Sequence, residues 1–585
     1  MSPSEPPVKW WKEATGYQIW PASYKDSNDD GLGDLPGITS TLDYLSDLGV
    51  DFIWLSPVYD SPQADMGYDV ADYEKIWSKY GSLDDMDTLI RKAKERKIKV
   101  VMDLVINHSS SEHKWFLESK KSKDNPYSDW YIWRDPKYDK NGNRKEPSNW
   151  RAAFGGSVWT YVPERDQYYM HLCLPQQPDL NWQNPETRNA IYKSAVDFWL
   201  ARGIDGFRID ACNFYWKDPA FPDSKIVLPS EKYQPMEPQH IINGPEVHTW
   251  LKELRSKIRN DHGEDIVLIG ELPGTGREQV LKYTLPSSGE LDMVFDFDIF
   301  MAGNDWNAKL HDLRLPKLSE VKQTLIKTQG ILDCAKDAWT TVFIENHDNI
   351  RSVCRFGPGE GPHHEAAAKM LALFASTLSG TLFVYQGQEI GMTNMPQHWD
   401  RKDLRDKAVL RYLDELSADH PGDDEMLQRG LDAAHNFGRD NGRTPVQWTS
   451  EAYGGFSSVE SWIGVNDNYK TINVSDQLAR SDSPLHFWMQ ALKLRKQYKD
   501  LLVYGKFELF NSEDEQVCMY VKRSTDMEEK MLVVLNFTSD SVQFSVPTGL
   551  DALKLKLVIS TSTPDDTAQL ATKLQPWEGR LYACT

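Results

Sequence analysis

The sequence predicts an α/β protein built on a (β/α)8 barrel, followed by an antiparallel β-sandwich domain. Short runs of β-branched and aromatic residues recur eight times before residue 386, and amphipathic helical patterns separate them. After about residue 505 only strand-like patterns remain. Eight strands alternating with helices are typical of a barrel whose chemistry lies at the C-terminal strand ends. The predicted strands are 17–20, 51–55, 99–105, 206–210, 266–271, 293–297, 341–345 and 381–385.

Capping signals support two of the intervening helices. Ser82 precedes an amphipathic stretch from Leu83 to Lys97. Asp85 lies three residues after Ser82, and this spacing is typical of a helix N-terminus. A second helical pattern runs from Thr187 to Arg202 and is followed by glycine. These signals indicate helices in the positions that a barrel requires.

Two stretches interrupt the alternation, and a third follows it. Residues 109–177 are rich in charged and aromatic residues and are predicted to form an inserted subdomain after strand three. A second charged insertion spans about 394–462, after strand eight. We therefore expect the catalytic barrel at 1–108 and 178–505, subdomain B at 109–177 and an all-β domain at 506–585. The strands predicted in that last domain are 507–510, 517–521, 531–535, 542–546 and 555–559.

Composition restricts the partners and the compartment. The chain has 585 residues and a net charge of −21, which argues against nucleic acid or an anionic membrane as a partner. Its six cysteines are scattered without a CxxC pair, which favours free thiols in a reducing compartment. The first seven residues lack an apolar stretch typical of a signal peptide. We expect a cytoplasmic protein that is a monomer or a weak homodimer.

Charged side chains gather at the predicted strand ends. Arg208 and Asp210 lie on the same side of strand four, where the arginine would keep the carboxylate ionised as a nucleophile requires. Glu271 ends strand five, and Asp348 follows strand seven. Carboxylates this close cannot all be ionised, so one becomes an acid while the others stay anions, which glycoside hydrolysis requires. A metal hydrolase is the alternative, although no H-x-H or HExxH spacing favours it.

Five motifs in order identify a resemblance to a known family. The chain resembles the α-amylase superfamily (glycoside hydrolase family 13), in particular the oligo-1,6-glucosidase and maltase branch of fungal and yeast type. The resemblance extends over nearly the whole chain and includes the tail 576–582. The matching motifs are Asp103 to His108, Gln177 to Trp182, Gly206 to Asp210, Gly270-Glu271 and Glu345 to Asp348.

The resemblance implies a retaining mechanism carried by three carboxylates. Asp210 would be the nucleophile that forms a β-glucosyl-enzyme, and Glu271 the general acid and then base. Asp348 would stabilise the oxocarbenium-like state. His108 and His347 would bind glucose hydroxyls.

Further residues of the family pattern imply a closed pocket. Asp65 would bind the terminal sugar's hydroxyls, Tyr68 would stack on its ring, and Arg443 would pair with Asp65. Phe154 is expected among the substrate-binding residues, as are Arg208 and Ala211. A sealed pocket implies release of single glucose units from non-reducing ends, which disfavours an endo-acting amylase.

The loop after strand one is predicted to bind a metal. It has oxygen ligands at alternating positions, the early pattern of a calcium loop, but glycine stands where an EF-hand requires glutamate. A solvated turn is the alternative from the residues alone. The resemblance implies structural calcium, with magnesium as a possible substitute, and no catalytic cofactor. The implied ligands are Asp26, Asn28, Asp30, the Leu32 carbonyl and Asp34.

Ala211 bears on linkage preference. In this branch valine after the nucleophile accompanies α-1,6 activity, and alanine or threonine accompanies α-1,4 activity. We therefore expect an exo-acting retaining α-glucosidase for small maltose-type oligosaccharides, with sucrose as a further substrate. The alternatives are an oligo-1,6-glucosidase and a sucrose isomerase or glucosyltransferase. A non-catalytic transporter heavy chain is disfavoured, because the chain has the full acid set and no membrane anchor.

Overall fold

Eight parallel strands form a nearly closed barrel in the computed structural model, which describes residues 9–229, 231–306, 308–562 and 572–584. Their order around the barrel is 6-5-4-3-2-1-8-7, so strands six and seven are the two edges that are not paired with each other. Thr341 Oγ1 donates a hydrogen bond to the carbonyl of Val294 at 2.8 Å across this gap. All eight predicted strands are present. They are Thr15–Ile19, Phe52–Leu55, Lys99–Leu104, Gly206–Ile209, Val267–Glu271, Met293–Phe295, Thr341–Val342 and Thr381–Tyr385.

Aromatic side chains fill the barrel interior. The ring of Phe383 lies 5.4 Å from that of Phe52 and 4.7 Å from that of Phe295, both measured between centroids. A Cβ on Gly16 would come within 2.4 Å of the Phe52 ring, so glycine is needed there. The strands are buried on both faces, which explains their continuous apolar runs.

Helices surround the barrel. The Ser82 side chain and Asp85 form the expected capping box at the start of the helix after strand two. Gly203, in left-handed conformation at φ 97°, ends the helix before strand four. The main helices are Leu35–Ser40, Leu42–Leu48, Leu83–Glu95, Pro185–Ile191 continuing through a π-helical segment, Tyr192–Asp197, to Phe198–Arg202, then Val247–His262, Arg277–Thr284, Leu318–Gln329, His364–Thr377 and Pro484–Gln497.

Both predicted insertions carry their own structure. The one after strand three contains the helix Lys114–Ser119 and a three-stranded sheet ordered Trp133–Arg134, Gln167–Met170, Trp159–Val162. The one after strand eight contains two helices, Lys407–Asp419 and Asp424–Phe437, with a separate apolar core.

The C-terminal region is antiparallel. Its five-stranded sheet is ordered Lys506–Phe510, Val517–Arg523, Lys530–Asn536, Gly579–Cys584, Leu555–Ser560. A two-stranded ladder, Val542–Gln543 with Lys573–Leu574, shares a core with it. The prediction missed the strand Gly579–Cys584 and made the one at 542 too long. The proposed domain boundaries stay predictions. The expectation that no signal peptide is present rests on the first seven residues, which lie outside the described ranges.

Within those ranges, none of the helices has the length and apolar character needed to cross a membrane.

Candidate active site

Arg208 is the centre of the site at the C-terminal end of the barrel. Its Nη1 lies 2.8 Å from Asp103 Oδ1 and 2.8 Å from Asp210 Oδ1, and its Nη2 lies 2.9 Å from Glu271 Oε2. Its side chain is only 2% exposed. Strands three, four and five each contribute one carboxylate, so parallel pairing brings the three around one buried cation.

The backbone after Asp210 orients Glu271. Ala211 adopts the left-handed conformation at φ 46°, and its N–H donates to Glu271 Oε2 at 2.8 Å. Glu271 Oε2 therefore contacts the Arg208 guanidinium and accepts the hydrogen bond of this N–H. Neither contact involves Oε1.

Three carboxylates around one cation leave an excess of negative charge. Burial raises the pKa of Asp210 to about 6 and that of Glu271 to about 7, against the opposing charge of Arg208. Burial also raises the pKa of Asp103 to about 6. The charge of Arg208 offsets only part of the effect of burial, so Asp210 is ionised only above about pH 6. Glu271 has the highest pKa of these three carboxyl groups, as an acid requires.

Asp348 has the opposite electrostatic environment. Burial opposes its ionisation, but His347, Arg439 and Arg443 outweigh this and hold the pKa of Asp348 well below its usual range. Arg443 Nη2 lies 2.9 Å from Asp348 Oδ1, and His347 Nε2 lies 3.0 Å from Oδ2. Its side chain is 29% exposed, so a permanently charged carboxylate faces the mouth.

Aromatic and imidazole rings form one wall of the pocket. The Tyr68 ring stacks on His347 at 5.6 Å between centroids, and its hydroxyl lies 2.8 Å from His347 Nε2. Trp20 stacks on the same imidazole at 5.1 Å. His108 Nε2 lies 3.0 Å from the Tyr68 carbonyl oxygen and 3.1 Å from Gln177 Nε2. The predicted residues Tyr68, His108 and His347 therefore lie together.

The predicted pairing of Asp65 with Arg443 is wrong. In the described part of the chain Arg443 pairs with Asp348, and the cation facing Asp65 is Arg439, whose Nη2 lies 3.5 Å from Asp65 Oδ1. The Nη1 of Arg439 also lies 3.5 Å from Asp348 Oδ1. Arg439 is the N-cap of the short helix Asp440–Arg443 and itself has helical backbone angles, so the two arginines, four residues apart, lie on one face.

Phe154 and Asp406 support Arg439. The guanidinium lies over the half-buried Phe154 ring at 4.9 Å, and Arg439 Nη2 lies 2.6 Å from Asp406 Oδ1. Phe154 was predicted, whereas Asp103, Gln177, Arg439 and Asp406 were not assigned. Asp103 could have been found, because it ends strand three as Asp210 ends strand four.

The predicted metal loop is closed by its own hydrogen bonds. Asp26 accepts N–H groups of Asn28 at 2.9 Å and Gly31 at 2.8 Å, and Asp34 accepts that of Gly37 at 2.6 Å. Asp30 pairs with Lys79 at 3.0 Å. No group of three or more His, Cys, Asp or Glu side chains placed to hold a metal occurs in the described ranges. The loop does supply oxygen donors, the type of ligand that calcium prefers. The calcium site stays a prediction.

Comparisons with known proteins agree with this site. The model of the α-amylase catalytic domain matches residues 18–505. The chain is 46% identical over 577 residues to an α-glucosidase of Candida albicans, covering 98% of this chain and 99% of that one. It is 43% identical over 584 residues to an oligo-1,6-glucosidase, IMA5, of Saccharomyces cerevisiae, covering 98% of each. A crystal structure of trehalose-6-phosphate hydrolase from Bacillus licheniformis superposes with a TM-score of 0.88 at 36% identity, covering 98% of this chain and 100% of that one. The chain therefore belongs to the α-amylase family, glycoside hydrolase family 13, and is a glycoside hydrolase.

Proposed function

We propose that this protein is an exo-acting, retaining α-glucosidase that releases α-glucose from the non-reducing ends of small α-1,4-linked oligosaccharides. The observation that carries the proposal is the pair of carboxylates on one guanidinium. Asp210 and Glu271 contact neighbouring nitrogens of Arg208, so they stand side by side with different pKa values. Retaining glycosidases need a nucleophile and an acid about 5 Å apart.

The chemistry begins with attack on the sugar's anomeric carbon. Asp210 Oδ1 is bound to Arg208, so Oδ2 is the oxygen that forms the bond. As the glycosidic bond breaks, its electron pair stays on the leaving oxygen, which takes the proton of Glu271. Glu271 Oε2 is already held by Arg208 and Ala211, so Oε1 carries that proton.

Water completes the reaction. Glu271, now a carboxylate, removes a proton from water, which attacks the anomeric carbon and releases Asp210. Two inversions restore the α configuration. Asp348 stays ionised throughout and stabilises the positive charge that develops on the ring in both steps.

The residues beyond the acids support exo action. Asp65 and Asp348, bridged by Arg439, would bind hydroxyls of the terminal glucose and close the pocket behind it. Tyr68 and Trp20 supply apolar rings near the same place. Structural calcium in the loop at 26–34 and a cytoplasmic location are further parts of the proposal.

An oligo-1,6-glucosidase is the second candidate, because several relatives carry that name. Ala211 favours α-1,4 linkages: a β-branched residue at φ 46° would be strained and would crowd the space beside Asp210. Sucrose isomerisation is a third possibility, since trehalulose synthase structures are also similar, with a TM-score of 0.89 at 36% identity.

The test compares maltose, isomaltose and sucrose, with early products followed by NMR. We expect maltose to be cleaved fastest and to give α-glucose first. Faster cleavage of isomaltose would contradict the α-1,4 preference but leave the mechanism intact. β-Glucose as the first product would overturn Asp210 as the nucleophile.

A further inference from the structure

Strand one buries a glutamine among apolar residues. Gln18 lies two residues after Gly16, whose position faces the rings of Phe52 and Phe383. Alternation along the strand therefore directs the Gln18 side chain into the barrel interior as well. The residue is 2% exposed. A buried amide costs free energy unless it is hydrogen-bonded, and the partner that Gln18 has here is an imidazole of the active site.

The two ring nitrogens of His347 have different neighbours. Gln18 Nε2 lies 2.7 Å from His347 Nδ1 and 3.2 Å from Ser56 Oγ. The other ring nitrogen, Nε2, lies 3.0 Å from Asp348 Oδ2 and 2.8 Å from the Tyr68 hydroxyl oxygen. A neutral imidazole carries one hydrogen, on one of its two nitrogens, so these neighbours determine where that hydrogen lies.

Both neighbours of His347 Nε2 require a hydrogen on that nitrogen. Asp348 is an ionised carboxylate that Arg443 contacts at 2.9 Å, so its Oδ2 can only accept. The Tyr68 hydroxyl donates its single hydrogen to Asp103 Oδ2 at 3.1 Å. The Tyr68 oxygen is therefore left to accept from His347. It follows that Nε2 is the donor to both neighbours.

The other nitrogen of His347, Nδ1, carries no hydrogen. The side chain is 2% exposed, and burial lowers the pKa of His347 in spite of the opposing charge of Asp348. The cations Arg208 and Arg443 act in the same direction as burial. The imidazole is therefore neutral, and Nδ1 accepts the amide hydrogen that Gln18 donates.

We propose that Gln18 is a positioning residue that holds His347 as a neutral imidazole with its hydrogen on Nε2. The amide hydrogen of Gln18 occupies the lone pair of Nδ1, so this nitrogen cannot take up a proton unless the amide turns over. The inference rests on the proposed role of Asp348 as the carboxylate that stabilises the positively charged sugar ring.

The neutral state of His347 preserves the charge of Asp348. Arg443 and Arg439 already contact Asp348 Oδ1, at 2.9 and 3.5 Å. An imidazolium at Oδ2 would add a third cation, and little negative charge would remain to stabilise the positive charge that develops on the sugar ring. A neutral imidazole donates a hydrogen bond and adds no charge. Gln18 thus acts on the reaction through His347 and Asp348.

Nitrogen-15 NMR of the full chain, labelled at its 14 histidines, measures the position of the hydrogen. The signals of His347 are those that disappear in His347→Asn. We expect Nε2 to resonate as a protonated nitrogen and Nδ1 as an unprotonated one between about pH 6 and about pH 8. Gln18→Glu should place a proton on Nδ1 at about pH 8, because an ionised carboxylate accepts where the amide donates.

Kinetics with maltose show whether this state of His347 serves the reaction. Gln18→Leu removes the donor without adding a charge, and we expect kcat to fall about tenfold, the factor that one hydrogen bond supplies, with a smaller change in KM. Gln386→Leu is the matched control. Gln386 is also buried, at the end of strand eight, and its Oε1 accepts the N–H of Trp20 at 2.8 Å. This variant should leave the protonation of His347 unchanged.

Two results would overturn the inference from the NMR signals alone: a hydrogen on Nδ1 of His347 in the wild type, or an unprotonated Nδ1 in Gln18→Glu at about pH 8. An unchanged kcat in Gln18→Leu would overturn the positioning role. The wild-type signals are read without substrate, so they decide the assignment even if a Gln18 variant does not fold. Failure of the wild type to hydrolyse any α-glucoside would instead overturn the proposed function.

Discussion

Replacing Glu271 with glutamine isolates the proton that the leaving oxygen receives. Arg208 and the Ala211 N–H both contact Oε2, so a glutamine oxygen in that position keeps both contacts. The amide nitrogen then takes the place of Oε1. The shape of the site is preserved, and only the transferable proton is lost.

The size of the loss follows from the role of Glu271. General acid catalysis contributes about 10²- to 10⁴-fold, which corresponds to about 3–5 kcal/mol. Maltose, whose leaving group is a sugar hydroxyl, should lose rate by this factor. The leaving group of 4-nitrophenyl α-glucoside is a weakly basic phenolate that needs no proton. The rate of bond cleavage in this substrate should therefore fall far less.

The pH dependence gives a second readout of the same variant. In the wild type, activity should rise as Asp210 ionises near pH 6 and fall as Glu271 loses its proton near pH 7. In Glu271→Gln the alkaline fall should disappear. The acid limb should stay near pH 6, because Glu271 is still protonated and uncharged where Asp210 ionises.

The assay is pre-steady-state kinetics with both substrates, since a slow second step would hide the first. Asp348→Asn is the comparison, because it removes a charge without removing the acid and should slow both substrates alike. If Glu271→Gln slows both substrates equally, or keeps the alkaline limb, Glu271 is not the acid.

Three further changes test neighbouring features. Ala211→Val should lower the maltose-to-isomaltose ratio of kcat/KM by about tenfold, because one side chain changes selectivity by about 1–3 kcal/mol; substrate competition measures it. Arg439→Ala should raise KM for maltose by about tenfold with a smaller change in kcat, since Arg439 contacts Asp65 and Asp348; Arg401→Ala is the exposed control in steady-state assays. Glu271→Gln should also stabilise the fold by about 3 kcal/mol above pH 7, since a folded-state pKa of about 7 penalises the charged form. That gain should vanish below about pH 4.5, where the group is protonated in both states, and thermal unfolding at several pH values measures it.

The barrel could be predicted because its strands are buried on both faces and their sequences are therefore apolar. The strand Gly579–Cys584 could not, because its Arg580 is buried beside Glu578 at 2.6 Å and resembles a surface residue in the sequence. The seventh barrel strand is shorter than predicted. After Val342 the chain turns to place Glu345 against Arg351 at 2.8 Å, a contact without a local sequence signal.

The meeting of Asp210 and Glu271 could be predicted because parallel strands end at one edge of the barrel. The partner of Asp65 could not. Arg439 and Arg443 are four residues apart and face the same direction, so the sequence alone does not show which cation meets which carboxylate.

The charges around Arg208 account for the protonated state of Glu271. With Asp103 and Asp210 ionised, their two negative charges already exceed the single positive charge of Arg208, so an additional charge on Glu271 is costly in this buried place. The proton therefore stays on Glu271 up to about pH 7, although a glutamate in water loses it near pH 4.5. Asp103 contacts no reacting atom in the proposed mechanism, but it lies 2.8 Å from Nη1 of Arg208, the side chain that also contacts Asp210 and Glu271. It is a positioning residue that acts through Arg208.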